Sequence, residues 1–133
     1  MSDTTTMLDM KLELLPVPVT DVDCAKDFYV NKVGFHLDHD VQPSDTMRVV
    51  QLTPPGSACS IVIGTGMGEI SAMHPGSVKG LHLVVVDVNA VREVLVSRGV
   101  DVSEVSDQGG MKFAFFNDPD GNSWALQEIP GRM

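Results

Sequence analysis

The sequence predicts an α+β fold built from two successive βαβββ modules. Three observations predict it. Extended stretches and apolar helical stripes follow one another in the order strand, helix, three strands. The same order then occurs a second time. Matching punctuation marks both halves. Asp21-Val22 and Asp87-Val88 open the two helices, and Pro54-Pro55-Gly56 and Asp118-Pro119-Asp120-Gly121 make the turn before each last strand.

Residues 1–10 read as a disordered arm, polar at its start. Lys11 to Val19 is extended, and Pro16 and Pro18 make it an edge or an irregular strand. Thr20 or Asp21 caps the first helix, because a side-chain oxygen there accepts from free amides of the first turn. Val22, Ala25, Phe28 and Tyr29 form its apolar stripe, and Gly34 stops it. Phe35–Asp40, Arg48–Thr53 and Ser60–Ile63 are strands. Gly64–Val78, rich in glycine, is the linker. In the second half Leu81–Val86 is a strand of high β preference. A helix from Asp87 to Arg98 ends at Gly99. Val100–Val105, Lys112–Phe116 and Ser123–Ile129 complete the set.

One domain at 11–133 is expected, with module one at about 11–66 and module two at about 78–130. Each helix covers one face of its own curved sheet. The other face must be buried elsewhere, and two such faces together wall a cavity.

Composition narrows the function. The formal net charge of −9 opposes binding to nucleic acid or to anionic membranes and suits a cationic ligand. No apolar run reaches the ~20 residues of a membrane span, and the polar, acidic start lacks the pattern of a signal peptide, so a cytoplasmic location is expected. Cys24 and Cys59 are outside any C-x-x-C pair and read as reduced core residues. Asp118 and Asp120 read as turn chemistry rather than a catalytic dyad. The Gly64–Gly68 stretch lacks the Lys-Ser/Thr of a phosphate loop. Met47, Met67, Met73 and Met111 lie where they could rim a cavity. Trp124 has the strand parity opposite to Ala125 and is expected on the helix side.

Val17–Tyr29 followed by Lys32–Phe35 resembles the opening of the glyoxalase/bleomycin-resistance/extradiol-dioxygenase (vicinal oxygen chelate) superfamily. Asn117–Asn122 followed by Trp124–Glu128 resembles its closing hairpin. The resemblance implies the duplicated fold, a homodimer and, in metal-dependent members, four ligands on cavity-facing strand positions. Carried over, these fall on Leu14, on Gln51, on or near His82, and on Ala125. Only His82 is a good donor. His82 lies five residues before Asp87, which pairs it by count with Pro16, whereas Leu14 pairs with Gly80. A rearranged site joining His82 with His36, His39 or His74 is an alternative.

Two functions follow. The first is a metal-free protein that sequesters a drug or natural product. Leu12, Leu14, Gln51, His82, Val84, Ala125 and Gln127 would line its cavity, with no cofactor. The second is a metal-dependent lyase, isomerase or dioxygenase similar to glyoxalase I, with Ni, Zn or Fe held through His82 and Gln51. A metal-free enzyme with His82 as base is a third reading, so the residues leave open whether the chain is an enzyme.

Overall fold

The computed structural model describes residues 7–132. Most of the expected N-terminal arm lies outside the described residues, and Met7 to Leu14 are exposed. The prolines shorten the first strand to β1, Leu14–Pro16. Helix α1 spans Val22–Asp27. Asp21 is its cap, accepting from the Cys24 amide at 3.0 Å. The helix widens into a π-helical turn at Phe28–Val33. There the amides of Gly34 and Phe35 both reach the Tyr29 carbonyl, and Gly34 ends the turn at φ +97°. Strands β2 (His36–Val41), β3 (Arg48–Thr53) and β4 (Ser60–Thr65) follow. Module two repeats the set as β5 (Leu81–Val84), α2 (Val88–Ser97), β6 (Ser106–Gln108), β7 (Met111–Asn117) and β8 (Ser123–Glu128).

One expected strand moves. Val100–Val105 forms no regular strand, and β6 begins at Ser106. Val100 and Val102 are drawn into the core instead, while Ser103 bonds the Phe115 backbone. The two sheets have matching orders, β1-β4-β3-β2 and β5-β8-β7-β6. In each, the first strand pairs in parallel with the last, and the other pairings are antiparallel. This is the predicted pair of βαβββ modules. Among the described residues no helix is long and apolar enough to cross a membrane.

A single apolar core joins the outer faces of both sheets and both helices. Val50, Leu52, Ile61 and Ile63 enter it from module one, and Ala114, Phe116, Trp124 and Leu126 from module two. Trp124 is thus on the helix side, as its parity predicts. Its ring stacks on Phe116 (centroids 6.3 Å) and meets Tyr29 and Phe35 edge-on at 5.8 and 5.6 Å. The cysteines do not join this core. Cys24 occupies the exposed side of α1, since the stripe turns Val22 and Ala25 inward, and Cys59 is half-buried ahead of β4.

The turn at Asp118–Asn122 fastens module two to module one. Buried Asp118 accepts from the amides of Asp120 and Asn122 and from the Tyr29 hydroxyl. Asn122 donates to the Pro18 carbonyl, and Asp120 accepts from the Thr20 hydroxyl at 2.7 Å. Asp118 and Asp120 therefore organise a turn, as the sequence reading expects.

Candidate functional site

Strand parity divides each sheet into a core face and an inner face. Residues flanking the core positions project to the inner side: Gln51, Thr53, Ser60 and Val62 in module one, and His82, Phe113, Phe115, Ala125 and Gln127 in module two. The inner side of module two is open, with Phe115 47% and Met111 37% exposed and His82 exposed. Both modules share one core behind them; on the inner side Ser60, Val62 and Ala125 are buried, while Phe115 and Met111 stay exposed.

Register resolves which positions correspond. Leu14 pairs with Ser60, and His82 pairs with Ala125. Ser60 and Ala125 each lie four residues after the turn glycine, Gly56 or Gly121. The Val17 amide bonds the Val62 carbonyl, and the Val85 amide bonds the Gln127 carbonyl. Leu14 and His82 are therefore counterparts. Counting back from the helix caps had paired His82 with Pro16. That count fails because the β1–α1 loop is two residues longer than the β5–α2 loop. The counterpart of Ala125 is Ser60, not Gln51. Gln51 sits one strand further in and reaches Ser60 through its side chain at 3.3 Å.

The inner face of module one has a polar floor. The Ser60 and Thr53 hydroxyls are 2.6 Å apart, and Thr53 also bonds Asp38. Asp38 occupies the irregularity between Leu37 and His39, where the bulge re-aims its side chain. The inner face of module two is aromatic. Phe113 and Phe115 lie parallel, 3° apart with centroids at 6.2 Å, and His82 meets Phe113 edge-on at 6.4 Å. His82 Nδ1 is 2.7 Å from the Gly80 carbonyl. A carbonyl only accepts, so Nδ1 carries the proton and Nε2 is left as an acceptor. At the seam between the sheets Ser60 and His82 line one cavity of about 150 Å³ together with the core residues Ile61 and Trp124.

The expected site residues divide accordingly. Gln51, His82, Ala125 and Gln127 share the inner side, and Leu14 borders it at the β1 edge. Leu12 is 65% exposed and precedes β1, so it lines none of the described cavities. Val84 pairs with Gln127 but borders a different cavity, on the α2 side. Met67 and Met73 pack under the linker against Val17 and Pro18 rather than at the inner face; Met111 remains there, with its sulfur 3.7 Å from the Gln127 amide. Phe113, Phe115, Ser60 and Thr53 were missed. Phe113 and Phe115 have the alternation of inner-facing residues, but only the β7–β8 register puts Phe115 opposite Ala125.

The family model described as Glyoxalase/Bleomycin resistance protein/Dioxygenase superfamily matches residues 11–126. The chain belongs to this superfamily. Among solved structures similar to this superfamily member is TnmS3, an antibiotic binding protein from Streptomyces sp. CB03234. It is 39% identical over 92% of this chain and 98% of that one, with TM-score 0.80. A glyoxalase/bleomycin resistance protein from the same organism is 40% identical over 87% and 98%, with TM-score 0.74. A superfamily member from Sphaerobacter thermophilus DSM 20745 is 30% identical over 92% and 99%, with TM-score 0.79. No curated protein matches the chain.

The chelate of the superfamily's metal-dependent members finds poor donors here. The register-equivalent set is Leu14, Ser60, His82 and Ala125. It offers one imidazole and one neutral hydroxyl, too few for Ni, Zn or Fe. Among the described residues no group of three or more His, Cys, Asp or Glu side chains is placed to hold an ion.

Proposed function

We propose that this protein binds and sequesters a small organic molecule, a drug or natural product, on the inner faces of its modules without a metal ion. The observation that carries the reading is the pairing of Phe113 and Phe115, parallel and open, beside a bare imidazole nitrogen of His82. Parallel rings offer a flat apolar platform, and Nε2 offers one acceptor for a donor group on the ligand. The polar floor of Gln51, Thr53 and Ser60 supplies further anchors. Similarity to an antibiotic binding protein at 39% identity supports the same class of ligand. The charge of −9 favours a cationic one.

A second copy of the chain would close the site. Phe115 and Met111 present apolar surface that a facing sheet would cover, so the working form is a homodimer with a cavity walled by both copies. Two free thiols suit a reducing, cytoplasmic location. The test is a thermal-shift screen of natural-product antibiotics against wild type and Phe115→Ala. A ligand that stabilises wild type and not the variant supports the reading. Stabilisation unchanged by Phe115→Ala would place the ligand elsewhere.

A further inference from the structure

The repeat relating the two modules matches in its backbone and differs in its filling. Tyr29 is eight residues after the cap Asp21, and Leu95 is eight after the cap Asp87. Trp124 immediately precedes Ala125, and Cys59 immediately precedes Ser60, the two register-equivalent positions. Phe35 follows the helix-stopping Gly34, and Val100 follows Gly99. A cluster of Tyr29, Phe35 and Trp124 rings at one junction thus corresponds to Leu95, Val100 and Cys59 at the other. Smaller side chains in the same framework leave space.

A cavity of about 480 Å³ opens beside Leu95, the counterpart of Tyr29, between α2, β5 and the Pro54-Pro55 turn; Val100 and Cys59 are not among its walls. Its walls are Val33, Phe35, Leu83, Val91, Leu95 and Leu126, with Ala90 and Asp87 at the rim. It is on the α2 side of the second sheet, away from Phe113 and Phe115. Its volume is in the range of small-molecule sites, ~300–1,000 Å³.

We infer that this junction is a second binding site, for a small uncharged aromatic molecule of one or two rings. The occupant follows from the first junction, where Tyr29, the counterpart of the cavity wall Leu95, sets a phenol against an indole. The inference stands independently of the inner-face site.

Indole, the ring of Trp124, is the probe. In an amide NMR titration of the intact protein, saturable shifts are expected at Leu83, Val91 and Leu95. Ala90→Phe plugs the rim. Ala90→Glu puts a carboxylate there, in the first turn of α2, where a helix tolerates an acidic residue. Each should weaken indole binding at least tenfold, whereas Phe115→Ala should leave it unchanged. Three results would overturn the inference: no saturation up to the solubility of indole, shifts centred on Phe113 and Phe115 that Phe115→Ala removes, or unchanged binding in folded Ala90 variants. Should either variant unfold, the map of shifts on the wild type decides alone.

Discussion

Tyr29 of module one donates its hydroxyl proton to Asp118 of module two at 2.7 Å, and accepts from the Trp124 indole at 3.0 Å. Burial, then the neighbouring Asp118 carboxylate, pushes the phenol above its ordinary range. Asn122 donates to the same Asp118 oxygen at 2.8 Å. The chain's one tyrosine therefore ties the halves together.

Tyr29→Phe removes both bonds and costs Asp118 one of its donors, with an expected loss of about 1–3 kcal/mol in denaturant unfolding. The pH dependence has a definite sign. A phenol raised in the folded state contributes stability fully present below its unfolded value of ~10, and the contribution is lost as pH rises above that value. Wild type should therefore weaken above pH ~10 more steeply than Tyr29→Phe. Absorbance of the phenolate should appear only as the protein unfolds.

Asp40 holds α1 to the β2–β3 pair. Arg48 grips it through both carboxylate oxygens at 3.0 and 2.8 Å, Lys26 adds a bond at 2.8 Å, and Arg48 also reaches Asp23 at 2.9 Å. The bond from Arg48, then that from Lys26, holds the Asp40 carboxyl well below its ordinary range. Its contribution is fully present above the unfolded value of ~3.9 and is lost as pH falls below it. Asp40→Asn is expected to cost about 1 kcal/mol at pH 7. The difference from wild type should shrink in acid, as seen by urea midpoints between pH 7 and pH 2.

Phe115 is nearly half exposed on one copy, so its replacement should cost the single chain less than about 0.5 kcal/mol. The proposed pairing of inner faces gives it a larger role. Sedimentation of wild type at micromolar concentration is expected to give a dimer, and Phe115→Glu a folded monomer, because a charge buried at the interface goes unpaired. A wild-type monomer would remove the second wall of the proposed site.

The order of elements was legible in the sequence because each signal was local. Asp21, Gly34, Asp87 and Gly99 mark helix ends through their own backbone demands, and alternation marks β3, β7 and β8. What depends on pairing between distant strands was not legible. His82 was matched to Pro16 because a residue count from Asp87 cannot see that one loop is longer. Ser60 was legible, four residues after Gly56 as Ala125 is after Gly121, but the strand before the turn was taken instead of the one after it; Phe115 was missed because its partner Ala125 is set by the β7–β8 register. Cys24 reads as a core residue and Leu12 as a cavity wall because they are apolar or nearly so, while helix phase and strand length leave both exposed.

The central claim is binding without a metal, and calorimetry tests it most directly. Protein stripped with EDTA is titrated with bleomycin and a panel of cationic and neutral aromatic antibiotics, then retitrated with Ni²⁺, Zn²⁺ or Fe²⁺ present. The account predicts saturable binding of at least one compound in EDTA, unchanged by added ions, and weakened at least tenfold (~1.4 kcal/mol) by Phe115→Ala. One equivalent of ion bound tightly through His82, with ligand binding only in its presence, would contradict it.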